Sequence, residues 1–133
     1  MAVLALVITA CKNRKRESPV KPGEKRVDAR EWFGSHSPSA FAGNRFMTTE
    51  EARKFVELLY EKGAKEVYVS GIEDDPSWVK KQGGPTADSL IVVLPRDRTM
   101  RRAIFALQGE EAVKQGFDPS QDNGETELLF WWD

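Results

Sequence analysis

Apolar positions at 52, 55, 56 and 59 recur at helical spacing and predict a helix opening near Thr48. Ala52, Phe55, Val56 and Leu59 form one stripe, and Glu50, Arg53, Lys54, Glu57 and Glu61 fall largely off it. Thr48 with Glu51 three residues later makes a capping box, Met47 is placed to staple onto Ala52, and Gly63 supplies a left-handed stop. The period then switches to two. Residues 65–72 (KEVYVSGI) alternate and are rich in β-formers, which predicts a strand with one face toward the core. Residues 89–94 (SLIVVL) are apolar on both faces, as expected of a central strand, and Pro95 ends them. Asp97 is placed to cap a second helix, where Met100, Ala103, Ile104 and Leu107 repeat the helical spacing. Gly109 is expected to break or kink it and Gly116 to end it, before a turn-rich loop over 118–124 and a final strand over 125–132 (ETELLFWW).

The order is helix–strand–strand–helix–strand, and a first strand over 40–46 would complete βαββαβ. Gly43-Asn44-Arg45 is poor material for that strand. The sum resembles the ferredoxin-like split βαβ sandwich over residues 39–133, in topology and not in any sequence motif. The resemblance implies an α+β fold, an antiparallel sheet of four strands with two helices on one face, and 40–46 and 89–94 as central strands. Such a fold does not by itself fix a function.

A chain of 133 residues, 40% hydrophobic and 31% charged, can bury one sizeable core. Its net charge of −1 hides an asymmetry. Residues 1–31 carry eight basic and four acidic side chains (+4), leaving twelve against seventeen (−5) over 32–133, so the body is acidic and the leader basic. Cys11 and His36 are the only residues of their kinds. An intrachain disulfide, a Cys/His zinc site and C-x-x-C redox chemistry are therefore excluded. A Ser-His-Asp or Cys-His site would have to use His36, which sits in loop-forming Gly34-Ser35-His36-Ser37-Pro38 and reads as a solvated histidine.

Residues 1–10 (MAVLALVITA) are apolar or small and lead into Ile8-Thr9-Ala10-Cys11. This resembles a bacterial lipobox, which implies cleavage before Cys11, lipid on its thiol and a membrane-tethered envelope protein. Met1-Ala2-Val3-Leu4 lacks the basic start of such signals, and ten apolar residues are too few for a transmembrane helix across ~30 Å. The alternative is a cytoplasmic protein with a buried first strand over 3–9. On the lipobox reading, 1–10 is a signal peptide, 11–38 a flexible basic linker rich in Pro and Ser, and 39–133 the single domain. Lys12-Asn13-Arg14-Lys15-Arg16 would then lie beside anionic headgroups.

Four arginines, Arg96, Arg98, Arg101 and Arg102, open the second helix, where cations oppose the macrodipole. They are candidates for binding an anion at the free N–H groups of the first turn. The competing reading is salt bridging to Asp97 or to the acidic loops. Residues 118–124 fail as an EF-hand loop, since the glycine is one place late and Leu129 stands where Glu is needed. Trp131 and Trp132 point to opposite faces of one strand, so one enters the core and the other lies on the open sheet face near Tyr68 or Leu90. Tyr68, Trp131 and Trp132 are thus the interaction-face candidates, for a protein partner or self-association. Packing by residues 32–46, including Trp32 and Phe33, would instead cover that face. The acidic body argues against nucleic acid. No catalytic set, cofactor or metal is indicated. The expectation is a non-enzymatic binding domain; the alternative is a small anion-binding or regulatory domain built on the arginines.

Overall fold

Thr48 caps the helix that its spacing from Glu51 requires: its Oγ1 accepts the Glu51 N–H at 3.2 Å. The computed structural model describes residues 24–35, 40–43 and 45–132. Its elements, in chain order, are β1 (Val27–Asp28), α1 (Ala29–Ser35), α2 (Thr49–Glu61), β2 (Glu66–Ser70), α3 (Pro76–Gln82), β3 (Ser89–Val93), α4 (Arg98–Lys114) and β4 (Glu127–Trp131). The Glu51 carboxylate accepts the N–H of Met47, whose side chain is exposed and makes no staple. Gly63 follows α2 at φ 112, and a Cβ there would meet the Met100 side chain at 2.7 Å. The glycine thus provides both the turn and the room for α4 to approach.

The four strands form one antiparallel sheet in the order β1-β2-β3-β4. Leu90 of β3 stands between Val69 and Phe130, and Ile91 between Tyr68 and Leu129. One face carries Val67, Val69, Leu90, Val92, Leu128 and Phe130, packed in a single core with Phe55, Val56 and Leu59 of α2 and Ile104 and Phe105 of α4. Each such side chain contributes roughly 1.5–3 kcal/mol on full burial, so this layer is the main source of stability. The molecule is therefore an α+β sandwich, consistent with a ferredoxin-like fold in its βαββαβ order of principal elements, with α2 and α4 on one face of a four-stranded antiparallel sheet.

The first strand is not where the periodicity places it. The described residues of 40–46 make only an isolated parallel bridge, Phe41 to Ala87, and the sheet instead takes Val27–Asp28 as a short edge strand. The central strands are accordingly β2 and β3, so 89–94 is central as expected and 40–46 is not. Phe41 and Phe46 are better buried as core side chains than as strand residues. They pack against Trp132 at 5.7 and 5.3 Å between ring centroids. The linker expected over 11–38 is likewise corrected in its described part. Residues 27–35 form β1 and α1, and Ala29, Trp32 and Phe33 enter the helix-side core, so Trp32 and Phe33 are not what covers the other sheet face. Helix α4 runs unbroken through Gly109, where the Pro119 ring approaches to 3.3 Å of a would-be Cβ. Glycine there lets the loop after α4 fold back along the helix.

Candidate functional site: the open edge of β4

Strand β4 ends the sheet, and its alternation decides which groups face outward. Trp132 donates its N–H to Asp88 O, and Leu94 donates its N–H to Thr126 O, so even-numbered residues direct their backbone groups toward β3. Glu127, Leu129 and Trp131 direct theirs away from it. The side chain of Gln115 takes one of these groups, donating to Trp131 O at 2.7 Å. The outward N–H groups of all three residues, and the carbonyls of Glu127 and Leu129, have no hydrogen-bond partner among the described residues.

Alongside this edge runs a cleft of about 370 Å³ between β4, α4 and the loop that follows α4. The Trp131 ring stacks on Phe117 at 5.3 Å and 28°, and the two rings are 42% and 44% exposed. The cleft lining includes Glu111, Asp118, Glu125 and Glu127 and no Lys, Arg or His. Ser120 N–H donates to Gln108 Oε1 at 2.9 Å, pinning the loop to the helix.

A buried carboxylate organises the wall behind the cleft. Glu111 is 5% exposed; it accepts from Arg45 at 2.5 and 3.1 Å and from the Trp132 indole at 2.9 Å. Burial alone would raise its pKa, but the hydrogen bonds from Arg45 and Trp132 and the Arg45 charge hold it below the ordinary value. The same group thus orients Trp132 and ties residue 45 to α4.

The structure separates the sequence candidates. Trp132 is a core residue at 2% exposure and Trp131 the outward one, near Leu129 on the open face; Leu90 faces the core. Tyr68 lies on the open face too, but the Arg26 guanidinium sits over its ring at 5.4 Å and continues to Glu127 at 2.6 Å. Its hydroxyl bonds Glu66. Ile91, between Tyr68 and Leu129, is fully buried, as are Ser70 and Ser89 in the row that ends at Trp131, so the strand side chains exposed on that face are Glu66 and the edge ring of Trp131.

Of the four arginines, Arg101 is committed inward. It makes two bonds to the Asp122 carboxylate (2.9 and 2.6 Å) and donates to Pro95 O and Glu125 O. This pairing lowers Asp122 to about 2, with further help from the Gly124 N–H against the effect of burial. Arg96, Arg98 and Arg102 stay exposed, and the Met100 N–H of the first turn is already taken by Asp97. The acidic loop thus serves arginine and turn chemistry. Among the described residues no group of three or more His, Cys, Asp or Glu is arranged to hold a metal, and no helix is long and apolar enough to cross a membrane. Cys11, the 1–10 segment and His36 lie outside the described residues.

Sequence reasoning misses Glu111, Gln115 and Phe117. Glu111 carries a readable signal, being seven residues beyond Ile104 on the apolar stripe of α4, where a carboxylate needs a partner. Gln115 and Phe117 follow from no local pattern, since both act on a strand end that only the tertiary fold brings near. No family model, curated protein or solved structure matches this chain.

Proposed function

We propose that the domain is a non-enzymatic binding module that holds a protein partner at the Trp131–Phe117 platform and the cleft beside it. The observation that carries this reading is the pair of stacked, nearly half-exposed rings. Neither ring belongs to the core cluster, so the fold does not need them. Large aromatics at a cleft are the usual anchors of a protein interface. Three of the cleft's carboxylates already face arginines: Glu111 with Arg45, Glu125 with Arg101 and Glu127 with Arg26. That arrangement suits recognition better than acid–base catalysis, which needs a carboxylate with a raised pKa.

The test is a partner screen with the full chain and its variants. A partner from the native host should be lost with Trp131→Ala and Phe117→Ala and retained with Arg98→Ala and Arg102→Ala. The opposite pattern would refute the reading and favour the rival anion-binding domain, for which three exposed arginines speak.

The proposed address is the bacterial envelope, on the strength of Ile8-Thr9-Ala10-Cys11. Acylation of Cys11 would leave the basic residues that follow beside the headgroups and the acidic domain facing away from an anionic surface. Mass spectrometry of the protein from its host should find a diacylglyceryl mass on Cys11. An unmodified chain retaining Met1 would remove this part of the proposal.

A further inference from the structure

We infer that the occupant of the cleft is an extended, basic segment of another protein, which adds to β4 as a fifth strand. The inference rests on the binding reading above and deepens it by naming the ligand class.

The backbone sets the requirement. An open strand edge presents N–H and C=O groups at the strand repeat, and proteins ordinarily shorten, charge or cover such an edge. The opposite edge follows that rule, since β1 has two residues. Edge β4 is five residues long, and its outward groups at Glu127 and Leu129 and the Trp131 N–H are unsatisfied among the described residues, with only the Trp131 carbonyl closed by Gln115. A strand laid there would satisfy them in register, which a compact ligand could not. Its alternate side chains would fall toward Trp131 and Phe117 on one side and toward Ala112 on the other.

Charge selects among strands. The stretch from Phe117 to Glu127 contains Asp118, Asp122, Glu125 and Glu127 and no basic residue; Arg101 reaches Asp122 and Glu125 and Arg26 reaches Glu127 from outside it, which still leaves a net charge of −2. Asp118 is exposed and has no ion-pair partner among the described residues. A second copy pairing β4 to β4 would bring two such loops together, so like charges disfavour a homodimer at this edge. Lysine or arginine alternating with an apolar residue matches both the carboxylates and the aromatic platform.

The experiment titrates the isotopically labelled full chain with a capped peptide of alternating lysine and valine, followed by NMR and amide exchange. Binding should shift the Trp131 indole and slow exchange of the Glu127, Leu129 and Trp131 amides by about tenfold or more, as a new ladder hydrogen bond would. Affinity should fall as salt is raised. The same peptide N-methylated at every second residue, and a glutamate–valine counterpart, should both fail to bind. Leu129→Pro removes an outward N–H without touching the β3 ladder and should abolish binding. Asp118→Lys, in an exposed loop, should weaken binding in a chain whose fold is undisturbed.

Shifts of Trp131 and Phe117 without protection of the edge amides, or equal binding of the N-methylated peptide, would overturn strand addition and leave the binding reading standing. Equal binding of the glutamate peptide would overturn the charge assignment. Absence of any perturbation at millimolar lysine peptide would overturn the inference, and the partner screen would still judge the binding reading separately. A concentration-dependent dimer abolished by Leu129→Pro would give the edge to a second copy. Tighter peptide binding by Lys15→Glu/Arg16→Glu would give it to the chain's own basic residues.

Discussion

Removing the Glu111 carboxylate should destabilise the domain more than breaking any of its surface ion pairs. In Glu111→Ala the Trp132 indole N–H, which donates at 2.9 Å from a residue 2% exposed, loses its acceptor in the core. An orphaned buried donor costs about 1–3 kcal/mol. Arg45 loses a bidentate partner as well, but its side chain is 33% exposed and regains water, so this part falls below the ~3–5 kcal/mol of a fully buried broken pair. Together the two effects predict a loss of roughly 2–4 kcal/mol, a large share of the ~5–15 kcal/mol of an ordinary domain.

Urea denaturation followed by far-ultraviolet circular dichroism measures this directly, with Glu57→Ala as the exposed control. Glu57 pairs with Arg30 at the surface and should change stability by no more than ~1 kcal/mol. Glu111→Gln keeps an acceptor for the indole and should recover part of the loss. A double-mutant cycle with Trp132→Phe should give a coupling of about 0.5–3 kcal/mol, because the indole and carboxylate touch. If Glu111→Ala lies within ~0.5 kcal/mol of wild type, the network contributes no net stability and the role assigned to Glu111 in the cleft wall fails.

Arg101→Ala should release the loop after α4 by removing its bonds to Asp122, Pro95 and Glu125; faster amide exchange over residues 118–125, with the strands unchanged, is the expected signature. Asp122 has a folded pKa of about 2, below the ordinary 3.8, so its contribution is present above ~4 and is lost as pH falls toward 2. Asp122→Asn should therefore flatten the acid limb of a stability–pH profile in that window. Gly71→Ala should destabilise by about 1–2 kcal/mol, chiefly because φ is 64, and the Asp88 carboxylate, 2.0 Å from the new Cβ, would have to turn aside; a stability equal to wild type in thermal melts would contradict this.

Local interactions explain what was legible in the chain alone. Helix α2, its Thr48 cap, the Gly63 stop, the doubly apolar β3 and the Asp97 cap of α4 all rest on contacts a few residues apart, which periodicity and capping chemistry report directly. The opposed directions of Trp131 and Trp132 follow from strand alternation, and no other information is needed. The apolar run of residues 1–10 and the basic charge of residues 1–31 are likewise properties of the chain itself.

What tertiary structure decided are the long-range choices. The sheet had to take its first strand either from Val27–Asp28 or from residues 40–46. Burial of Phe41 and Phe46 against Trp132 outweighed β-pairing of their segment. Arg101 could not be assigned to Asp122, or Arg26 to Glu127, because those partners lie 21 and 101 residues away. The open edge of β4 is the same kind of fact. Alternation identifies which residues face outward, but only the strand order makes β4 an edge, and only the path of the loop after α4 leaves a cleft beside it.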